Sequence, residues 1–189
     1  MTPGPQTYEL KIELLEIEPK ILRRVLVPGT ITLAQLHEVI QIAMGWTNSH
    51  LHEFIVGAHS YSDPEFEIDD AKSEYRYRLA RLAPRVSNTI AYRYDLGDGW
   101  EHQIRVENII EDDKRYLGKP LCLEGKRNCP PEDCGGPWGY QTFLVAISNK
   151  NHKQHKELLN WIGGSFDPED FDLDVVNILL RKIDLRPRW

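Results

Sequence analysis

The sequence lacks most of what would mark a membrane, secreted or nucleotide-hydrolysing protein. No apolar run approaches the ~20 residues of a membrane span, and Met1 to Gln6 has neither the basic nor the apolar part of a signal peptide. Cysteine occurs only three times, an odd number that argues against a secreted disulfide scaffold and points to the cytoplasm. Positive charge is in deficit. With 23 Lys and Arg against 29 Asp and Glu the net charge is −6, so bulk electrostatics does not recruit nucleic acid. There is no GxxxxGK(S/T) loop, GxGxxG turn, GxSxG elbow or HExxH helix, so no nucleotide-binding, serine-esterase or zincin signature. Internal repeats and low-complexity linkers are also missing.

What is present suits one globular domain. The 189 residues are 41% apolar and 28% charged, enough to bury a core without staples. In residues 7–17, Tyr8, Leu10, Ile12 and Leu14 alternate with Glu9, Lys11 and Glu13, the period of a half-buried strand. Ile21 to Val27 predicts its hairpin partner. Thr32 and Gln35 form a capping box for a helix through Leu33, Leu36, Ile40 and Met44, with Gly45 placed to end it. Residues 50–57 predict a third strand, giving a β-β-α-β opening.

Residues 58–75 read as a surface loop and 75–85 as a short helix. A clear strand pair, 90–94 and 100–110, is joined by Asp95-Leu96-Gly97-Asp98-Gly99, whose Asp and Gly residues suit a tight turn. Residues 112–137 read as an irregular loop holding all three cysteines. Beyond it the pattern is helical, around Tyr140–Ile147, Leu158–Ile162 and Val175–Ile183. Asp167-Pro168-Glu169 resembles a helix start and Asp172 a cap. The fold expected is α+β, a mixed sheet (β-β-α-β plus a hairpin) covered by C-terminal helices. Its sheet core spans about 7–111, its loop 112–137 and its helical part 138–189.

Chemistry is sought first in Tyr94–His102. Alternation turns His102 inward beside Trp100, and His52 inward on the third strand, near Asp95 and Asp98. A carboxylate set against an imidazole is what acid–base catalysis needs, so His52, Asp98 and His102 are the catalytic candidates. The simpler reading is buried histidines bonded to backbone, with burial lowering the His102 pKa. Cys122, Cys129 and Cys134, with His102 or His152 as a fourth ligand, could close a tetrahedral zinc site, although the C-x6-C-x4-C spacing lacks a zinc knuckle. The alternative is thiols packed under the loop, with Trp138 and Tyr140 as its apolar anchors. Glu132 and Asp133 read as solvated or capping. The cations Arg76, Arg78, Arg81, Arg85, Arg181, Lys182, Arg186 and Arg188, interleaved with Tyr75, Tyr77 and Trp189, suggest a phosphate-contacting surface. Given the negative net charge, a solvated face is preferred.

Four segments carry a resemblance: LHEVIQIAMGWTNSHLHEF (36–54), YDLGDGWEH (94–102), CPPEDCGGPWGY (129–140) and FDPEDFDLDVVN (166–177). In this order the chain closely resembles the plasmid pRiA4b ORF-3-like family. The resemblance implies a bacterial or archaeal α+β protein, associated with mobile elements and without an established activity. A resolvase label carried by some members finds no nucleophilic serine near an arginine cluster here. His50, His52, Asp95, Asp98, Trp100, His102, Cys129 and Asp133 match the family motifs, while Leu96 and Gly99 depart from the commoner Phe and acid. The binding candidates are therefore Trp46, His50, Asp95, Trp100 and Asp133. Two functions stand side by side: an accessory module binding a protein or nucleic-acid partner, or a metal-dependent or acid–base hydrolase. The two separate on whether His52, Asp98 and His102 converge in an open pocket or lie sealed under Trp46 and Trp100.

Overall fold

The computed structural model describes residues 6–113, 115 and 118–186. Strands β1 (Gln6–Leu14) and β2 (Leu22–Pro28) precede helix α1 (Leu33–Met44), and β3 (His52–Val56), β4 (His59–Ser62) and β5 (Lys72–Ser73) follow it. Next come α2 (Leu79–Leu82), β6 (Thr89–Tyr94), β7 (Trp100–Glu111) and β8 (Leu121–Lys126), then helices α3 (Gly136–Ser148), α4 (His155–Trp161) and α5 (Leu173–Leu180). All strands join one sheet in the order β5-β4-β3-β6-β7-β1-β2-β8. Among the described residues only β4 and β5 pair in parallel, so the fold is the expected mixed α+β sheet.

Side-chain alternation decides which way β1 faces. Tyr8, Leu10, Ile12 and Leu14 are all buried in the core with Ile104, Val106 and the apolar side of α1. Each such side chain contributes roughly 1.5–3 kcal/mol on burial. A shift of one residue would send all four to the other face, so β1 is held in register between β2 and β7. Helix α1 begins and ends where the sequence signals place it. The Thr32 hydroxyl accepts from the Gln35 amide at 3.2 Å, the Gln35 side chain accepts from the Thr32 amide at 3.1 Å, and Gly45 takes a left-handed φ of 100°.

Three segments differ from expectation. Residues 58–75 hold β4, β5 and two short 3-10 turns, Pro64–Phe66 and Glu74–Arg76. Asp167 starts a turn and no helix, its carboxylate accepting from the Glu169 amide at 2.9 Å. Residues 112–137 are not wholly irregular, because β8 extends the sheet beyond β2. An edge strand leaves backbone groups unpaired. Asn177 of α5 answers this by accepting from the Cys122 amide at 2.8 Å and donating to its carbonyl at 3.0 Å. Among the described residues no helix is long and apolar enough to cross a membrane.

Candidate functional site

The three catalytic candidates do not converge. His52 lies opposite Tyr94 on β6, and Tyr92 lies opposite His102 on β7. Strand β6 therefore separates the two histidines by two strand spacings, about 10 Å. His102 is fully buried. It bonds the Tyr92 carbonyl through Nδ1 at 3.3 Å and sits edge-on to Trp46. Burial lowers its pKa to about 4, as the alternation implied. Asp98 points away from both, accepting from the Gly135 amide at 3.1 Å. For His102 the arrangement is the sealed one, since Trp100 is fully buried and Trp46 covers the ring, whereas His52 borders a cavity away from both tryptophans.

His52 has partners that the sequence reading did not include. Its ring stacks on His37 at 3.4 Å, and its Nε2 meets Glu74 at 2.8 Å. Asn48 Oδ1 can only accept, so His37 Nε2 donates to it at 2.7 Å and its Nδ1 accepts from the Tyr92 hydroxyl at 2.8 Å. Gln41 in turn donates to that hydroxyl at 3.0 Å. Burial drives His37 and His52 each down to about pKa 4 and drives Glu74 up to about 7. Burial thus favours the neutral form of each group in this cluster. The cluster lines a cavity of about 200 Å³ with Asp63 and Tyr75. His37 was legible, since it shares a helix face with Leu33 and Ile40. Glu74 lies in a one-turn 3-10 segment without periodicity.

A second cluster forms where three loops meet. His50 precedes β3, Asp95 opens the β6–β7 turn, and Glu132 and Asp133 follow Pro130-Pro131. Asp95 and Asp133 both have left-handed φ, 54° and 57°, which Asp tolerates better than most residues. Asp95 Oδ1 accepts from the amides of Gly97 (3.0 Å) and Asp98 (3.2 Å). Its Oδ2 lies 3.7 Å from His50 Nε2. Glu132 repeats this design. Its Oε1 accepts from the Thr47 amide and hydroxyl and from the Tyr94 hydroxyl at 2.9–3.1 Å, while Oε2 faces His50 Nε2 at 3.8 Å. Asp133 Oδ1 completes the ring at 3.3 Å. His50 Nε2 and Glu132 Oε2 are both buried atoms without a hydrogen-bond partner. A cleft of about 530 Å³ opens beside His50, lined also by Asn48, Leu51, Asp63 and Phe66. Of the binding candidates, His50, Asp95 and Asp133 thus come together; Tyr94 lies against His50, with Trp46 packed on Tyr94 and Trp100 on Trp46.

The loop carrying Glu132 and Asp133 is clipped to the sheet at several points. Trp46 Nε1 donates to the Pro130 carbonyl at 3.0 Å, and Asp98 holds Gly135. Gly136 has a φ of 68°, and a Cβ there would collide with the Asp98 carbonyl oxygen. Gly136→Ala combines a left-handed penalty with overpacking and should cost about 3 kcal/mol. The check is the urea midpoint; a shift worth under about 1 kcal/mol would show that the loop and turn separate freely.

The cysteine set is not assembled. Cys122 is buried on β8, Cys129 is buried below the loop, and Cys134 is half-buried. Among the described residues, the only three ligand groups within 4.8 Å of one another are His50, Asp95 and Asp133. Burial pushes the Cys122 thiol up to about 11 and Cys134 to about 12, and raises Cys129 further. Tyr140 is buried as an anchor of the segment, but Trp138 is 84% exposed and anchors nothing. It falls on the outer side of α3, where the helix meets no second layer. Arg76, Arg78, Arg81, Arg85, Arg181, Lys182 and Arg186 are solvent-exposed. Arg188 and Trp189 lie outside the described residues. His152 is half-buried and bonds the Gln154 amide at 3.2 Å.

The fold and cleft define an α+β protein with an eight-stranded mixed sheet and a carboxylate-ringed histidine at the β6–β7 turn. The chain belongs to the plasmid pRiA4b ORF-3-like family, whose model matches residues 6–175. It is 42% identical over 187 residues to the uncharacterized protein y4hQ of Sinorhizobium fredii (strain NBRC 101917 / NGR234), covering 95% of this chain and 92% of that one. It is also similar to the crystal structure of MM3350, a protein of unknown function from Methanosarcina mazei Go1. That match has a TM-score of 0.82 and 34% identity over 90% of this chain and 97% of the other.

Proposed function

We propose that this protein is a binding module that takes a cationic ligand at the His50 cleft, and is not an acid–base hydrolase built on His52, Asp98 and His102. One observation carries the reading. Of the three candidate histidines only His50 reaches solvent, with 26% of its side chain exposed, and three carboxylates surround its free nitrogen. His102 is fully buried, and His52, although it borders the neighbouring cavity, is 3% exposed and engaged by Glu74 and His37. Three carboxylates gathered in a partly desolvated cleft repel one another unless a positive charge is placed among them.

Calorimetric titration with arginine amide, spermidine and divalent metal chlorides tests this. At least one should bind at a single saturable site, and Asp133→Asn should weaken it. Asp133 suits the purpose because its side chain is 72% exposed and its loss leaves the core intact. If no cation binds, the reading fails.

A further inference from the structure

Resting on that reading, we propose that the occupant of the cleft is a divalent first-row transition-metal ion held by His50 Nε2, Asp95 Oδ2 and Asp133 Oδ1, with Glu132 Oε2 beside them as a further negative charge. The donor set is the first argument. One imidazole nitrogen with carboxylate oxygens suits Mn²⁺, Fe²⁺, Co²⁺ or Zn²⁺, whereas Mg²⁺ and Ca²⁺ favour oxygen alone. An ammonium or guanidinium group would also be drawn to the carboxylates and can donate to an imidazole nitrogen, so the spacing of the ligand atoms has to separate the two.

Geometry is the second argument. Asp95 and Glu132 are each fixed through one oxygen by backbone amides or hydroxyls, which leaves the other oxygen directed at the same nitrogen. Asp95 is more than nine-tenths buried, and its Oδ2 makes no hydrogen bond among the described residues. His50 Nε2 lies 3.7 Å from that oxygen and 3.3 Å from Asp133 Oδ1. Two ligands about 2.1 Å from one ion are separated by roughly 3.3–3.7 Å when the angle between them is about 105–125°. The observed spacings are those of ligands around an ion and exceed those of hydrogen bonds. A metal would also satisfy the orphaned buried atom His50 Nε2 and place a positive charge near the unpartnered Glu132 Oε2.

The experiment uses the full chain stripped of metal and titrated with Mn²⁺, followed by the paramagnetic resonance of the free ion, and with Co²⁺, followed by absorption. About one equivalent of each should bind, and Co²⁺ should show no near-ultraviolet thiolate charge-transfer band. His50→Gln and Asp133→Asn should each weaken Mn²⁺ by roughly tenfold or more. Asp133→Asn, on an exposed side chain, keeps the test valid if the His50 variant misfolds. Binding that ignores both substitutions, or a thiolate band, overturns the metal site. Absence of metal binding together with Asp133-dependent binding of arginine amide also overturns it, but leaves the cation-binding reading standing. If neither probe binds, both fall.

Discussion

Acidification from pH 6.5 toward 4 is expected to unfold the protein, with a net uptake of about two protons over most of that range. Three histidines are held neutral by burial: His37, His52 and His102 each titrate at about 4 when folded, against 6.5 for a free imidazole. Between those values the unfolded chain binds protons that the folded chain refuses. The stability the histidines confer is thus complete above pH 6.5 and is lost as pH falls toward 4. Glu74 acts in the opposite sense. Its folded pKa of about 7 lies above the ordinary 4.5, so its contribution is complete below 4.5 and is lost as pH rises to 7. Three histidines less one carboxyl leave two protons, or about 3 kcal/mol per pH unit. Two units would remove about 5 kcal/mol, equal to the lower end of a typical stability of about 5–15 kcal/mol. Urea midpoints measured at intervals between pH 8 and 4 check this. Glu74→Gln should steepen the acid limb and raise stability at pH 8, because the amide can donate to His52 and has no charge to suppress. A flat profile between pH 6.5 and 5 would mean that the histidines are open to water, and the sealed assignment would be lost.

Replacing Arg23 by Met should lower stability by about 4 kcal/mol or more. Arg23 is almost fully buried on β2, where alternation alone turns it inward. Among the described residues it pairs with no acid. Its guanidinium donates to the carbonyls of Ala43 (2.6 Å), Leu22, Lys126 and Arg127 (2.8 Å each), and lies 4.3 Å over the Phe171 ring. Burial lowers its pKa, yet an arginine stays charged. Met fills much of the volume but satisfies none of the carbonyls, and each buried orphan costs about 1–3 kcal/mol. Arg23→Lys should fall between the two, since an ammonium has three donors and no planar fork. Ala43 lies near the end of α1, and Lys126 and Arg127 lead into the loop of Glu132. The Met variant should therefore weaken cation binding as well. A urea midpoint within about 1 kcal/mol of the parent would show that water reaches these carbonyls.

The extent to which the site could be read differs residue by residue. His50, Asp95 and Asp133 come from motifs far apart in the chain, and their types mark them as ligands. Nothing local shows that the β6–β7 turn and the 130–136 loop meet. That contact depends on Asp98 holding Gly135, on Trp46 reaching the Pro130 carbonyl, and on the missing Cβ of Gly136. The sequence presents Glu132 as solvated or capping. Its burial comes from Thr47 and Tyr94, two elements away. His52 and His102 were correctly turned inward by period two, but alternation gives only the face. The register of β6 between them sets them apart.

The sequence by itself determined the local elements of this protein. Period-two patterning placed β1, β2, β6 and β7, and a capping box with a terminal glycine placed α1, because strand faces and helix ends depend on residues within a few positions of one another. The tertiary structure alone decided that β8 closes the edge beside β2, that burial raises the pKa of Glu74 next to His52, and that His50, Asp95 and Asp133 meet at one point. These outcomes depend on which loops touch and on how much water their contact excludes, and neither is encoded in the spacing of neighbouring residues.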